Sequence, residues 1–438
     1  VGNSFGGNGG PNGFGYWVQN AAARAVVTPD GTVIAGIDWD EAGRCVGLYK
    51  DGRVNRTLLK AEGGKLPESA WGWGTANDGA VAVLGKEIFV GTKGKKLLRF
   101  RWKPGDLESA KFVESANLPA APVALAGREG VLALAFKGRI EFRSAAGLKA
   151  RGGFELAGVR DVVFAPAGGL WVVAGGRVRR YTAEGKEDGG PLPGVEKATA
   201  VSFGHHDGRL YVCDDGPRQQ VLVFDVSGKT PRRVATVGRE GGLRARPAGK
   251  AAPDRLFNLR GAGADRAGNV YVAMSFGAGP SGSLTLRSFT PAGKLRWELT
   301  NYAFVDAFGF DPDADGLAAY GRLGVFDLHL GRTKPGSEWS LRGITLDHLG
   351  QPTDPRLKSP ACTAVVRRPG GKRVLYTIGQ YGGGYDLFAF DGPDGLVARA
   401  VGKVHAKDSW AWDVSDDGAV WHGDAPKRTI RRYPFGVG

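Results

Sequence analysis

The chain has 438 residues, of which 72 are glycine and 24 proline, and a formal net charge of +15. Glycine at more than twice its average share of about 7 % excludes a helical bundle, because a glycine inside a helix costs about 1 kcal/mol relative to alanine. A 42 % hydrophobic content with 10 % aromatics excludes a disordered chain, and no run approaches the ~18 apolar residues of a membrane helix. An all-β protein with many glycine turns remains.

The chain opens Val1-Gly2-Asn3-Ser4 and its sole methionine is Met274. This predicts a signal peptide already removed and a secreted or extracytoplasmic location, in the periplasm or at the cell surface. The densest polar segment comes early. Asp38, Asp40, Glu41 and Arg44 surround Trp39, a set suited to a cation, a sugar or an acid/base pair, and equally to a turn closed by an Asp–Arg pair. Trp71 and Trp73 then stand between glycines, where an indole either stacks on a ligand or packs between repeats. The segment Lys96 to Lys103 alternates Arg99, Arg101 and Lys103 with Phe100 and Trp102. It predicts a strand with a solvated face over a buried one. With no basic tail or basic helix, the positive charge points to acidic partners and not to nucleic acid.

Further along, His205-His206 fall in a turn and read as solvent-exposed. Asp214, Asp215 and Arg218 occupy a loop, and Tyr381 precedes three glycines in a comparable one. The stretch Arg239 to Arg260 is too long for a turn and rich in arginine. It predicts a projecting insertion or lid, with Arg260 at its end able to clamp carboxylates or sulfates. Asp311, Asp313 and Asp315 followed by Gly316 read D-x-D-x-D-G, the opening of a calcium loop, but Arg322 stands where a bidentate glutamate belongs. A turn or a bound Ca2+ both fit. Cys45, Cys213 and Cys362 lack metal or redox spacing and read as buried free thiols. No G-x-S-x-G, H-E-x-x-H or phosphate-binding loop occurs.

One unit recurs through the chain: apolar strand, glycine turn, second strand, loop, third strand and often a fourth. The first turns anchor on Gly31, Gly85, Gly130, Gly169, Gly208, Gly268, Gly316, Gly371 and Gly418, spaced as propeller blades are. A single meander buries neither face, so units must stack, and a closed ring removes their exposed edges. The expectation is a single β-propeller domain over residues 1–438, of eight four-stranded antiparallel blades within a range of seven to nine. The last unit has three strand candidates, and residues 1–20 would supply its missing strand.

The units "GRLYVCDDGPRQQVLVFDVSGK" (208–229) and "GAGADRAGNVYVAMS" (261–275) resemble the NHL-type repeat, shared with gluconolactonase-like (SMP-30-like) propellers. The stretch "WVQNAAARAVVTPDGTVIAGIDWDEAGRCVGLYKDGRV" (17–54) is similar to secreted bacterial propellers of this group. The resemblance implies the fold, and its patterned residues are core and turn positions that carry little chemistry. Gluconolactonase-like enzymes hold a central divalent metal, whose ligands map onto no particular positions of this chain.

The sequence therefore predicts a secreted propeller that binds carbohydrate or a protein partner at the cell surface, the partner being acidic, without spanning the membrane. A propeller enzyme is the alternative, either a metal-dependent lactonase-type hydrolase or a polysaccharide lyase. A subunit of a larger extracellular assembly is a third reading. Functional side chains are expected in loops leading into first strands and in those between second and third strands.

Overall fold

The computed structural model describes residues 21–38, 45–54, 80–276 and 283–302, and within 308–433 the stretches 308–310, 318–321, 324–329, 331–332, 339–344, 364–367, 374–378, 385–391, 397–404, 412–415, 417, 419–424 and 427–433. Among these residues nine antiparallel sheets form, each with its strands hydrogen-bonded in chain order. The chain clusters into two compact units, Gly2–Gly242 with Pro253–Ala303, and Leu243–Ala252 with Phe304–Gly438.

The larger unit holds six sheets, over residues 21–54, 80–117, 124–155, 159–181, 198–237 and 259–302. Their first strands are Ala21–Val27, Ala80–Leu84, Ala124–Arg128, Val159–Phe164, Ala198–Phe203 and Leu259–Ala264. Each packs against the first strand of the next sheet, and Leu259–Ala264 packs back onto Ala21–Val27. The ring is closed. This unit is a six-bladed β-propeller with the first strand of every blade innermost.

Six anchor glycines sit in the turn after an inner strand, with φ of +80° at Gly31, +59° at Gly85, +76° at Gly130, +75° at Gly169, +63° at Gly208 and +80° at Gly268. A side chain there would be strained, so the turns select glycine. The hydrophobic clusters lie between blades. Ile34 and Leu48 of blade 1 meet Val81, Ile88 and Phe100 of blade 2, and Tyr49 of blade 1 joins Tyr271, Leu284 and Leu286 of blade 6. Both faces of a blade are thereby covered. Phe100 and Trp102 are buried and Arg101 and Lys103 exposed, as the alternation predicts. Arg99 is half-buried between Glu87 and Glu114.

Ring closure depends on close backbone approach. A Cβ on Gly261 would lie 2.5 Å from the Ala25 carbonyl oxygen, and one on Gly263 would lie 3.1 Å from Val27 side-chain carbons. The seam is stitched by the Arg266 N–H donating to the Pro29 carbonyl at 3.0 Å. His205 Nε2 donates to the Val27 carbonyl at 3.0 Å and His206 Nδ1 lies 3.1 Å from the Arg266 carbonyl. Both histidines are exposed, as predicted, yet His205 ties blade 5 to blade 1 and His206 ties it to blade 6.

The smaller unit contains three sheets. Phe308–Phe310, Ala318–Gly321, Gly324–Leu328 and Trp339–Ile344 form the first, and Ala364–Arg367, Val374–Ile378, Tyr385–Asp391 and Val397–Val404 the second. Trp412–Val414, Val420–Asp424 and Thr429–Tyr433 form the third, with the three strands predicted for the last repeat. Here too Lys250 bridges Gly343, and the Ala251 N–H donates to the Arg342 carbonyl at 3.0 Å. The expectation of eight blades is corrected to six. The packing of the inner strands closes the ring after the sixth blade, which the repeat pattern does not record. The proposed closing segment, residues 1–20, lies outside the described residues. No helix among the described residues is long and apolar enough to cross a membrane.

Candidate functional site

The central channel has two ends. One is formed by the upstream ends of the inner strands, together with the loops between second and third strands, and is the end where functional side chains are predicted. Four inner strands carry a register shift near this end, between Ala22 and Arg24, Val159 and Asp161, Ala198 and Ala200, and Leu259 and Gly261. The extra residues are Ala23, Arg160, Thr199 and Arg260. A bulge bends the strand and re-aims the side chain at the bulged position. Arg160, Thr199 and Arg260, with Arg24, Lys137, Val123, Val159 and Leu259, line a cavity of about 310 Å3 at this mouth.

Four of these eight lining residues are cationic and none is a carboxylate. Lys137 and Arg160 are exposed and their side chains make no ion pair or hydrogen bond among the described residues. Arg24 forms the floor. It is 7 % exposed and its guanidinium pairs with Asp161, which is fully buried. Arg24 belongs to blade 1 and Asp161 to blade 4, opposite each other in a ring of six, so this pair bars the channel. The Asp161 carboxylate also accepts the Val201 N–H at 2.6 Å and the Val162 N–H at 2.5 Å. Thr199 donates its hydroxyl to the Leu259 carbonyl at 2.8 Å, locking blades 5 and 6 together beneath the mouth.

Of the predicted site residues, Arg260 lines this cavity. Asp214, Asp215 and Arg218 lie in the loop after the second strand of blade 5 but act on the backbone. Asp214 is fully buried and accepts N–H groups of Lys197 at 2.9 Å, Gly216 at 3.1 Å and Glu196 at 3.1 Å. Asp215 accepts the Leu259 N–H at 3.1 Å and the Gln219 amide at 3.1 Å, fixing the start of blade 6. Arg218 donates to the Gly194 carbonyl at 2.9 Å and approaches Glu196 at 3.3 Å. These three organise the loops beside the mouth.

Asp40, Glu41, Arg44, Trp71, Trp73, Tyr381, Asp311, Asp313 and Asp315 lie outside the described residues, as does the side chain of Asp38. The calcium expectation lies there with them. Among the described residues no group of three or more His, Cys, Asp or Glu side chains is placed to hold a metal. The Arg239–Arg260 stretch is anchored at its base. Arg239 pairs with Asp254 at 2.8 Å, Leu256 and Phe257 are buried, and Arg287 donates to the Arg255 carbonyl at 2.6 Å. Cys213 is a buried free thiol. Burial pushes it up to about 12, with Arg24 opposing and Asp215 and Asp214 adding to the rise.

The residue reading missed Arg24, Lys137 and Arg160. Arg160 had a usable signal, since the charged pair Arg160-Asp161 interrupts the otherwise apolar inner strand Val159–Phe164 near its start. Lys137 lies in the loop after the second strand of its blade, as Asp215 and Arg218 do in blade 5.

No family model matches this chain and no curated protein matches it. Solved structures are similar at low identity. A chain of the "Crystal Structure of Mitotic Checkpoint Complex" is 13 % identical with a TM-score of 0.38, covering 58 % of this chain and 72 % of that one. A protein of unknown function from Bacteroides caccae is 12 % identical with a TM-score of 0.42, covering 61 % and 92 %. The WD40 β-propeller domain of Doa1 is 10 % identical with a TM-score of 0.38, covering 68 % and 89 %.

Proposed function

We propose that this protein is a non-catalytic β-propeller that recognises an acidic polysaccharide or acidic protein segment through the upstream mouth of its central channel. The observation that carries this reading is the mouth lined by Arg24, Lys137, Arg160 and Arg260 with no carboxylate among its described lining residues. Cations gathered in a concave, partly desolvated site attract anions more strongly than the same charges scattered over a convex surface. Three of the lining residues sit on bulges, which point them at the mouth without disturbing the blade cores. An extracytoplasmic location and an NHL-type or gluconolactonase-like ancestry go with this proposal, the second on the repeat wording alone.

Calorimetric titration of the full chain with polygalacturonate, its methyl-esterified neutral form and a poly-glutamate peptide tests the reading. Binding to either anion, weakening steeply as salt is raised from ~50 mM to ~500 mM, is expected. Equal binding to the neutral polymer, or no binding to any of the three, overturns it.

A further inference from the structure

The downstream end of the same channel holds a larger cavity, of about 730 Å3. It is a separate chamber, since the Arg24–Asp161 pair lies between it and the upstream mouth. Its walls are apolar side chains of inner strands, among them Val26, Leu84, Phe164 and Phe203, each left partly exposed. Ala82 and Gly127 also line the space. The chamber has the size of sites that enclose one small molecule, roughly 300–1,000 Å3.

Charge at the rim is one-sided. Lys86 in the first turn of blade 2 and Arg266 in the first turn of blade 6 flank blade 1. Both are exposed, and neither side chain makes an ion pair or hydrogen bond among the described residues. The one carboxylate among the described lining residues, Asp30, is already engaged by Lys50 at 2.7 Å, Thr28 at 2.6 Å and Thr32 at 3.0 Å. Burial works against its ionised form, but these bonds hold its carboxyl below the usual carboxylate value. It stays ionised and internally neutralised, leaving Lys86 and Arg266 to face whatever enters.

We infer that this chamber binds a small amphipathic carboxylate. Its apolar body lies against the inner-strand walls and its anionic head meets Lys86 and Arg266 at the rim. Apolar walls alone would accept any hydrocarbon, and two unpaired cations at their edge select an acid. The site is independent of the upstream mouth in place and in ligand class.

The test uses the full chain and the anionic fluorophore 8-anilinonaphthalene-1-sulfonate, displaced by decanoate or by decan-1-ol. A saturable fluorescence rise is expected, with decanoate displacing at a concentration at least about tenfold lower than decan-1-ol. The double substitution Lys86→Ala with Arg266→Ala changes two exposed side chains, so the fold is kept and the preference for the acid should vanish. Leu84→Trp, which fills part of the chamber, should reduce displacement by both. Equal displacement by acid and alcohol in the unaltered protein, or an acid preference that survives the double substitution, overturns the proposal. Displacement only by an acidic peptide bearing an apolar side chain also overturns it, in favour of a docking cleft for a protein.

Discussion

Arg24 and Asp161 come from opposite blades of a six-membered ring and form a buried ion pair that divides the channel into two chambers. Each ion is supported. Asp161 accepts two backbone N–H groups, and Arg24 lies against the mouth lined by other polar side chains. Such a pair fixes which blades stand opposite, because a ring of another size would not bring these two residues together.

Breaking this pair on one side leaves a buried charge. Asp161→Asn is expected to destabilise the propeller by about 3–5 kcal/mol, and Arg24→Met by a similar amount. Combining Arg24→Met with Asp161→Asn removes both charges and keeps an acceptor for the Val201 N–H. The double variant should therefore lose much less than the sum of the single ones. Urea unfolding of the four proteins measures this, and additive losses would show that the two residues act separately.

The seam between blades 6 and 1 should be equally sensitive to one methyl group. Gly261→Ala puts a Cβ 2.5 Å from the Ala25 carbonyl oxygen, so the inner strands must separate. Overpacking of this kind costs about 1–3 kcal/mol. Gly228→Ala, where a Cβ meets nothing within 4 Å, serves as the control and should change stability by less than about 0.5 kcal/mol. Thermal unfolding of the two variants decides between them.

At the upstream mouth, Lys137→Ala with Arg160→Ala should weaken binding of an acidic polymer about tenfold at low salt, or about 1.4 kcal/mol. The dependence on salt should flatten as well. Both side chains are exposed, so folding is unaffected. Lys229→Ala, in an exposed turn of blade 5 away from the lining, should leave affinity unchanged. A loss of the same size in this control would mean that net charge and not the mouth is being read.

Cys213 offers a chemical readout of the fold. Burial raises its thiol to about 12, so almost no thiolate exists near pH 8 while the propeller is intact. A thiol of ordinary value, about 8.5, is partly ionised there. Iodoacetamide should leave Cys213 unmodified in the native protein and label it fully in guanidinium, read by mass spectrometry of the peptide that contains it. Its sign follows from burial: raising the pH toward 9 should increase labelling of unfolded chains and scarcely that of native ones.

The repeat unit was legible because its signals are local. Gly31, Gly85 and Gly208 mark turns whose positive φ any short window reveals, and alternation such as Phe100 and Trp102 against Arg101 and Lys103 reports which side chains are buried. Asp214 shows where this kind of reading stops. Its loop suggested a ligand site, while its carboxylate is consumed by three backbone N–H groups that only the folded loop brings near.

The sequence by itself determined an all-β chain of repeated meanders and their glycine turns, because strand alternation and turn chemistry are written within ten or so neighbouring positions. Tertiary structure decided that six of them close a ring. Closure depends on how tightly Gly261 and Gly263 let one inner strand approach another more than 230 positions away in the chain. It also decided the sites. Arg24, Lys137, Arg160 and Arg260 share a mouth only because four blades turn their upstream ends to one axis, and no spacing along the chain records that angle.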